Sequence, residues 1–444
     1  MRLDTLSVYS HLCMPPMTPL YRKIALRLVP YLMLLYMVAF LDRVNISFAA
    51  LTMNRDLAIS DSLYGFAAGV FFLGYCLFEV PANLMLTRIG ARRWIASLLV
   101  VWGVVSVSTA FVDGRSEYIA ARFLLGIAEA GFFPGVIFFL TLWVPRPVRS
   151  RILALFLLAL PVCNCIGAPI SSHILLLDHL AGLRGWQWLF IVEGSPALLL
   201  GALTWFVLAD RPENARWLTA DDTAELKREM HRDEKLSNES AQQTAPGKLI
   251  AVILTDAAAY FMLMSGLYGL SFFLPKILVA AGVTAQATGW WAALPYGAGA
   301  VGMILLSRVR GRAWLAALYL CSGAGFAVTG LARNLPEALI GFSLASVGIF
   351  AATPLFWSAS TGRMSNKVAG AAIAVVNSIG AVGGFAGPYA MGWLRDATHN
   401  YSTGLWALAG AMVVGAGVVS GGASKCETAV VGGCLFPRTP RKKS

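Results

Sequence analysis

Five ionisable side chains stand inside long apolar stretches of the first half of the sequence: Asp42 and Arg43, Glu79, Arg122 and Glu129. A charge at bilayer depth costs a few kcal/mol even on generous scales, so each needs a partner or a task. Withdrawal from water favours the neutral form of a carboxyl group, and a neighbouring guanidinium favours the charged form. A carboxylate held between those two influences changes protonation near neutral pH, which is the chemistry of proton coupling. Arg122 and Glu129 are two helical turns apart and share one face, separated by about 10 Å along the axis. Asp42 and Arg43 are adjacent and diverge by about 100°, so they do not simply pair with each other. The competing reading is a static network, Asp42 or Glu129 with Arg122, that ties two helices together. Buried ion pairs are a poor route to stability, which counts against it, most of all for Glu129. Glu79 falls near the end of its segment, where it can snorkel or pair with a loop arginine. Glu193 and Asp256, nearer helix ends, read as structural.

The elements that carry these residues follow from composition. The chain has 444 residues, of which 57% are hydrophobic and 13% charged, and its mean hydropathy is +0.67. A soluble domain carries about 25% charged residues, so a soluble enzyme, a disordered chain and a coiled coil are all excluded. At roughly 20 apolar residues per crossing, the sequence divides into twelve membrane helices. They fall near 24–50, 62–87, 92–112, 116–143, 150–173, 186–208, 250–280, 286–308, 313–331, 336–362, 367–394 and 402–420. The expected fold class is therefore an all-α polytopic membrane protein.

The net charge of +12 is a matter of topology. Twenty-seven Lys and Arg fall in the tails and one set of connectors, and six on the opposite side. By the positive-inside rule both termini are cytoplasmic, in a cell (inner) membrane. No nucleic-acid partner is implied; the partners expected are the lipid bilayer, protons and a small solute, for a chain that works as a monomer. The first apolar segment is too long for a signal peptide and lacks a cleavage site, so it is read as a retained span.

Shifting the chain by 220 residues lines it up with itself: Gly69 with Gly289, Arg88 with Arg308, Arg92 with Arg312, Trp94 with Trp314, Pro134 with Pro354, Gly167 with Gly387 and Trp186 with Trp406. One offset across several helices marks an internal repeat. It predicts two parallel six-helix repeats, a transporter architecture in which the halves rock about a site at their interface. The domain order expected is a cytoplasmic tail 1–23, a six-helix bundle 24–208, a linker 209–249, a second bundle 250–420 and an atypical cytoplasmic tail 421–444. In the linker, Thr219 and Asp222 have capping-box spacing ahead of a surface helix over 220–236, and 237–249 reads as flexible. The five intramembrane charges face Met262, Leu263, Gly299, Phe342 and Ile349 in the repeat. Charged chemistry is thus confined to one half, which points to function more than to architecture.

No cofactor is expected. The sole Gly-Lys, Gly247-Lys248, is followed by Leu249 and lacks the spacing of a phosphate loop, so nothing here hydrolyses ATP. The histidines show no metal-ligand spacing. The seven cysteines lack a CxxC pair and read as reduced apolar side chains. No nucleophile and base suggest an enzyme. Tyr75, Trp357 and Asn377 lie at mid-helix depth, where they could line a polar cavity, although as sequence facts alone each is better explained by core or interfacial packing.

The segments LDRVNISFAAL at 41–51, GYCLFEVPANLMLTRIGARRW at 74–94, RFLLGIAEAGFFPG at 122–135, GWQWLFIVEGSPALLLG at 185–201, DRPENARWL at 210–218, YGLSFFLPKIL at 268–278 and NSIGAVGGFAGPYAMGWLRDAT at 377–398 carry a resemblance. Together, over about 20–415, the chain resembles the major facilitator superfamily. Within it, the chain is similar to the anion:cation symporter family of bacterial D-galactonate, glucarate, tartrate and phthalate transporters and animal sialin and vesicular glutamate transporters. The resemblance implies proton-coupled uptake of a small organic anion (a sugar acid, dicarboxylate or aromatic acid) by alternating access. It implies that Asp42 and Glu129 carry the protons, that Arg43 attracts the substrate carboxylate, that Arg122 partners Glu129, and that Tyr75, Trp357 and Asn377 contact substrate. The pattern departs from the wider superfamily at Thr87, which replaces a gating aspartate, in the SRVRGRAW loop at 307–314, which has no acidic residue, and after residue 420, where helix 12 reads as short. The alternatives are an anion sensor without net flux, or an exchanger or uniporter without proton coupling.

Overall fold

A computed structural model describes residues 18–240, 246–361 and 366–431 of the chain. Most of the expected tails, and the side chain of Thr87, lie outside the described residues. Twelve helical spans are long and apolar enough to cross a bilayer, and no strand occurs among the described residues. In order they are α1 (Pro19–Val44, continuing as Ile46–Asp56), α2 (Asp61–Ile89), α3 (Ala91–Thr109), α4 (Arg115–Glu129, continuing as Phe132–Trp143), α5 (Arg146–Leu157, continuing as Ala159–Ile174) and α6 (Gly185–Val207). After a linker helix, Ala220–Ser240, come α7 (Pro246–Ala280), α8 (Ala285–Leu305), α9 (Arg312–Leu331), α10 (Leu335–Thr361), α11 (Asn366–Thr398) and α12 (Ser402–Val431).

Local sequence sets the ends. Thr18 caps α1 with Pro19 at its first position, and Ser60 caps α2 by accepting from the Leu63 N–H at 3.2 Å. Gly90 and Gly311 open α3 and α9 at φ of 92° and 100°, a region that strains any residue with a Cβ. The Thr219–Asp222 capping box forms, with both bonds at 3.1 Å. Asp222 also accepts from Lys23 at 2.7 Å, and that bond, with the Thr219 N–H, holds its carboxyl below the usual range.

Several boundaries differ from those read in the sequence. α1 begins earlier and ends later than 24–50, because the Thr18–Pro19 cap starts it and no breaker stops it before Leu57. The linker helix runs to Ser240 instead of 236, and α7 starts at Pro246 instead of 250, so 237–249 is partly helical. α12 is not short: it extends to Val431, through a segment without proline, and its apolar part alone covers 20 residues. α1 and α4 are each interrupted, at Asn45 and at Ala130–Gly131, just beyond Asp42–Arg43 and Glu129.

The packing repeats as the sequence does. Within the first half α1 packs on α5, α2 on α4 and α3 on α6; within the second α7 packs on α11, α8 on α10 and α9 on α12. Between halves the broad contacts are α2 with α11 and α5 with α8, each the image of the other under the 220-residue shift. Small residues permit these crossings. A Cβ on Gly69 would lie 2.6 Å from the Phe385 ring, and one on its counterpart Gly289 would lie 2.3 Å from the Ala168 carbonyl.

The halves are closed at the end away from the linker helix. There Asp61 pairs with Lys276 and accepts from the Tyr401 hydroxyl at 3.3 Å, and the Ser62 N–H donates to Asp396 at 2.8 Å. Tyr64 donates across the halves to the Phe272 carbonyl at 2.8 Å. Within the first half, Gly126 of α4 meets α2 so closely that a Cβ would sit 1.9 Å from the Phe71 carbonyl, whereas one on Gly410 of α12 meets nothing within 4 Å. Overpacking of this kind costs about 1–3 kcal/mol. Gly126→Ala should therefore lower the thermal unfolding midpoint of the detergent-purified protein, and Gly410→Ala should leave it unchanged; equal midpoints would refute the crossing.

Candidate functional site

The interruption of α1 at Asn45 follows two residues that face different ways. Asp42 is fully buried and turns towards α3, where Ser106 donates to it, while Asn45 Nδ2 donates at 3.2 Å. Its second oxygen has no partner among the described residues. Arg43 turns instead towards α4 and the other half. Its Nη2 and Nε reach Glu129 Oε2 at 2.7 and 3.2 Å, and its Nη1 donates to the Tyr268 hydroxyl of α7 at 2.9 Å. The guanidinium also lies 4.9 Å above the Phe71 ring and 5.5 Å from that of Tyr75, contacts that stabilise a cation shielded from water.

This corrects the pairing drawn from sequence. The static-network reading and the family resemblance pair Arg122 with Asp42 or Glu129, yet its Nη2 donates to the Arg43 carbonyl at 3.2 Å and its guanidinium stacks 5.2 Å from Phe71. Its Nε and Nη1 have no partner among the described residues, and neither does Glu129 Oε1. The two turns of α4 between Arg122 and Glu129 keep them apart, and Arg43 arrives from the neighbouring helix to take the glutamate.

Arg43 opens onto a cavity between the halves. Arg43, Tyr36 and Tyr75 line it from the first half, and Tyr260, Tyr268, Thr353, Trp357 and Asn377 from the second. Four residues singled out in the sequence, Arg43, Tyr75, Trp357 and Asn377, thus share one chamber, while Asp42, Arg122 and Glu129 stand in its wall without lining it. Sequence reasoning misses Tyr260 and Tyr268. Their signal is present, as polar groups in the apolar run of α7, but nothing in the sequence says which face of α7 meets α1.

Glu79 requires the larger correction. It neither snorkels nor pairs with a loop arginine: it is 1% exposed and accepts from Asn377 Nδ2 and Ser378 Oγ of α11, both at 2.7 Å. Glu193 accepts from Ser171 at 2.6 Å, and Asp256 from Ser360 at 2.7 Å. Among the described residues no group of three or more His, Cys, Asp or Glu could hold a metal ion.

A basic and an acidic side chain buried at a chamber between repeated halves suit a carrier. The family model described as Major Facilitator Superfamily matches residues 32–388. The chain belongs to this superfamily. It is 42% identical over 404 residues to a putative tartrate transporter of Agrobacterium vitis, covering 90% of this chain and 93% of that protein. It is 36% identical over 408 residues to the putative metabolite transport protein NicT of Pseudomonas putida, covering 89% and 92%. A crystal structure of a D-xylose-proton symporter superposes with a TM-score of 0.71 at 16% identity, over 89% of this chain and 97% of that one, which shows the shared fold. This facilitator is a multi-pass membrane transporter for a small molecule, and not an enzyme.

Removing one member of a buried pair strands the other charge, at a cost of about 3–5 kcal/mol. Arg43→Met should therefore lower the unfolding midpoint sharply, and the double variant with Glu129→Gln should recover most of the loss. A double variant no more stable than Arg43→Met would show that the two side chains do not interact energetically.

Proposed function

We propose that the protein is a proton-coupled symporter of a small organic anion, working by alternating access in the inner membrane with both termini cytoplasmic. One observation carries the reading: the cation facing the cavity, Arg43, is already engaged by a buried carboxylate, Glu129. An organic anion and Glu129 compete for the same guanidinium. When a proton adds to a Glu129 oxygen, the charge that holds Nη2 and Nε disappears and Arg43 is free to take the substrate carboxylate. Binding of the anion in turn makes an unprotonated Glu129 costlier, because it would then lack a counter-charge. The two ligands thus favour each other, and this reciprocity is what coupling requires. Asp42 is the second protonatable group, set behind Arg43 on the Ser106 side.

The anion also connects the halves. Arg43 already donates to Tyr268 of α7, so a carboxylate at the guanidinium lies against both bundles, with Tyr75 from one side and Trp357 and Asn377 from the other. A loaded chamber therefore favours their closure, and reorientation carries it from one face to the other. The contacts at Asp61, Lys276 and Asp396 would be the ones to part when the opposite end closes. The substrate class agrees with the tartrate-transporter relatives, and the apolar and aromatic lining leaves sugar acids, dicarboxylates and aromatic acids as candidates.

Liposomes holding the purified protein and a pH-sensitive dye test the reading directly. A panel of organic acids added outside should give acid-specific acidification within. Glu129→Gln should abolish uphill accumulation and keep exchange of labelled for unlabelled substrate. Anion flux without proton movement would instead establish an exchanger or uniporter, and anion binding without flux a sensor.

A further inference from the structure

Glu79 stands on α2 one turn beyond Tyr75, so it lies directly next to the chamber although it does not line it. Both of its oxygens are taken, across the gap between the halves, by neutral donors on consecutive residues of α11: Asn377 Nδ2 on Oε1 and Ser378 Oγ on Oε2. Two anchors on two oxygens fix the plane of the carboxyl group. A carboxylate only accepts, so it admits the NH₂ end of the Asn377 amide and rejects the carbonyl end. Asn377 itself lines the chamber opposite Arg43. Its amide is therefore not free to turn. The end left over is Oδ1, which has no partner among the described residues, and that end can only accept.

The consequence is chemical selectivity. An amide free to rotate would offer its NH₂ to a carboxylate or its oxygen to a hydroxyl. An amide locked by Glu79 keeps Nδ2 at the glutamate, with one N–H bonded there and the second fixed beside it, and holds Oδ1 in a set place that disfavours a carboxylate and suits an O–H donor. We propose that Glu79 is a positioning residue that holds Asn377 so that the chamber selects an anion bearing a hydroxyl group over the same anion without one. The proposal rests on the anion reading above: Arg43 and Tyr268 take the carboxylate, and Asn377 takes the hydroxyl. An anion without the hydroxyl leaves Oδ1 desolvated and unpaired, which is the penalty that discriminates between otherwise equal ligands.

L-Tartrate and succinate make the comparison, since they share chain length and both carboxylates and differ in two hydroxyls. Their affinities are measured by titration calorimetry on the full-length protein in detergent, wild type and variants alike. The wild type should prefer tartrate. Glu79→Leu frees the amide and should shrink that preference about 10-fold, the equivalent of one hydrogen bond, with succinate affinity held within about 2-fold. Glu79→Gln keeps an acceptor for Asn377 and a donor for Ser378, and should retain the preference within about 3-fold. Glu79→Met, of similar length, serves the same purpose where the leucine variant does not fold.

Equal weakening of both acids by Glu79→Leu, or an unchanged ratio, would overturn the positioning role. So would loss of the preference in Glu79→Gln, because charge and not amide orientation would then be responsible. A wild type that binds both acids equally overturns this inference alone. A wild type that binds neither overturns the organic-anion reading on which it stands.

Discussion

The structure turns on one guanidinium. Arg43 is placed where water is scarce, and a cation there requires an anion, a hydroxyl that can accept its hydrogen bond and polarisable surfaces within reach. Glu129, Tyr268, Phe71 and Tyr75 supply these from three other helices, α4, α7 and α2. The demand explains features that otherwise look unrelated. α2 and α4 must approach closely to bring Phe71 and Glu129 to the same group, and they do so at Gly126, where no side chain would fit. α7 must face α1 across the middle of the molecule, which fixes how the two bundles are set against each other. Glu129 must end its helical segment where it can turn towards α1, and Ala130–Gly131 ends it there.

Scaffold and chemistry obey different rules. The scaffold is symmetric: every major helix contact in one bundle has its image in the other, and the two crossings that join them are images of each other. The charges are not. In the proposed cycle the two symmetric halves rock about the chamber between them. Charge at the chamber is asymmetric: one bundle places Arg43 there, with Glu129 behind it, and the other supplies Tyr268, Trp357 and Asn377 as neutral walls. Glu79 departs from this division, being a first-bundle carboxylate whose hydrogen-bonding partners sit on α11.

What is legible in the sequence is whatever depends on residue type and period. Apolar length yields twelve spans, the 220-residue offset yields the repeat, and the cost of intramembrane charge is enough to single out Asp42, Arg43, Arg122 and Glu129. What stays hidden is partnership. Seven-residue spacing puts Arg122 and Glu129 on one face but two turns apart, and it cannot say that the partner of Glu129 comes from another helix, as Arg43 does. Glu79 is misread for the same reason: its position along α2 is correct, and its environment belongs to α11, which lies about 300 residues away in sequence. Helix ends are blurred where the signal is a single cap, as at Thr18, or the mere absence of a breaker, as in α12.

In the proposed mechanism, protons and anions can share one carrier because Asp42 and Arg43 are adjacent. Two neighbouring residues on a helix point about 100° apart, so the carboxylate and the guanidinium are addressed from different directions even though their backbones are linked. Asp42 looks into the first bundle, to Ser106 and Asn45, and Arg43 looks into the chamber. On that proposal a proton at Asp42 would be out of contact with the solute, and a solute at Arg43 would not block it. Arg122 stands behind Arg43, donating to its carbonyl and stacking on Phe71. Arg122 has two further nitrogens without partners among the described residues. In the proposed mechanism that leaves Arg122 available to whichever of Asp42 and Glu129 is charged, a role that a fixed ion pair with either one would exclude.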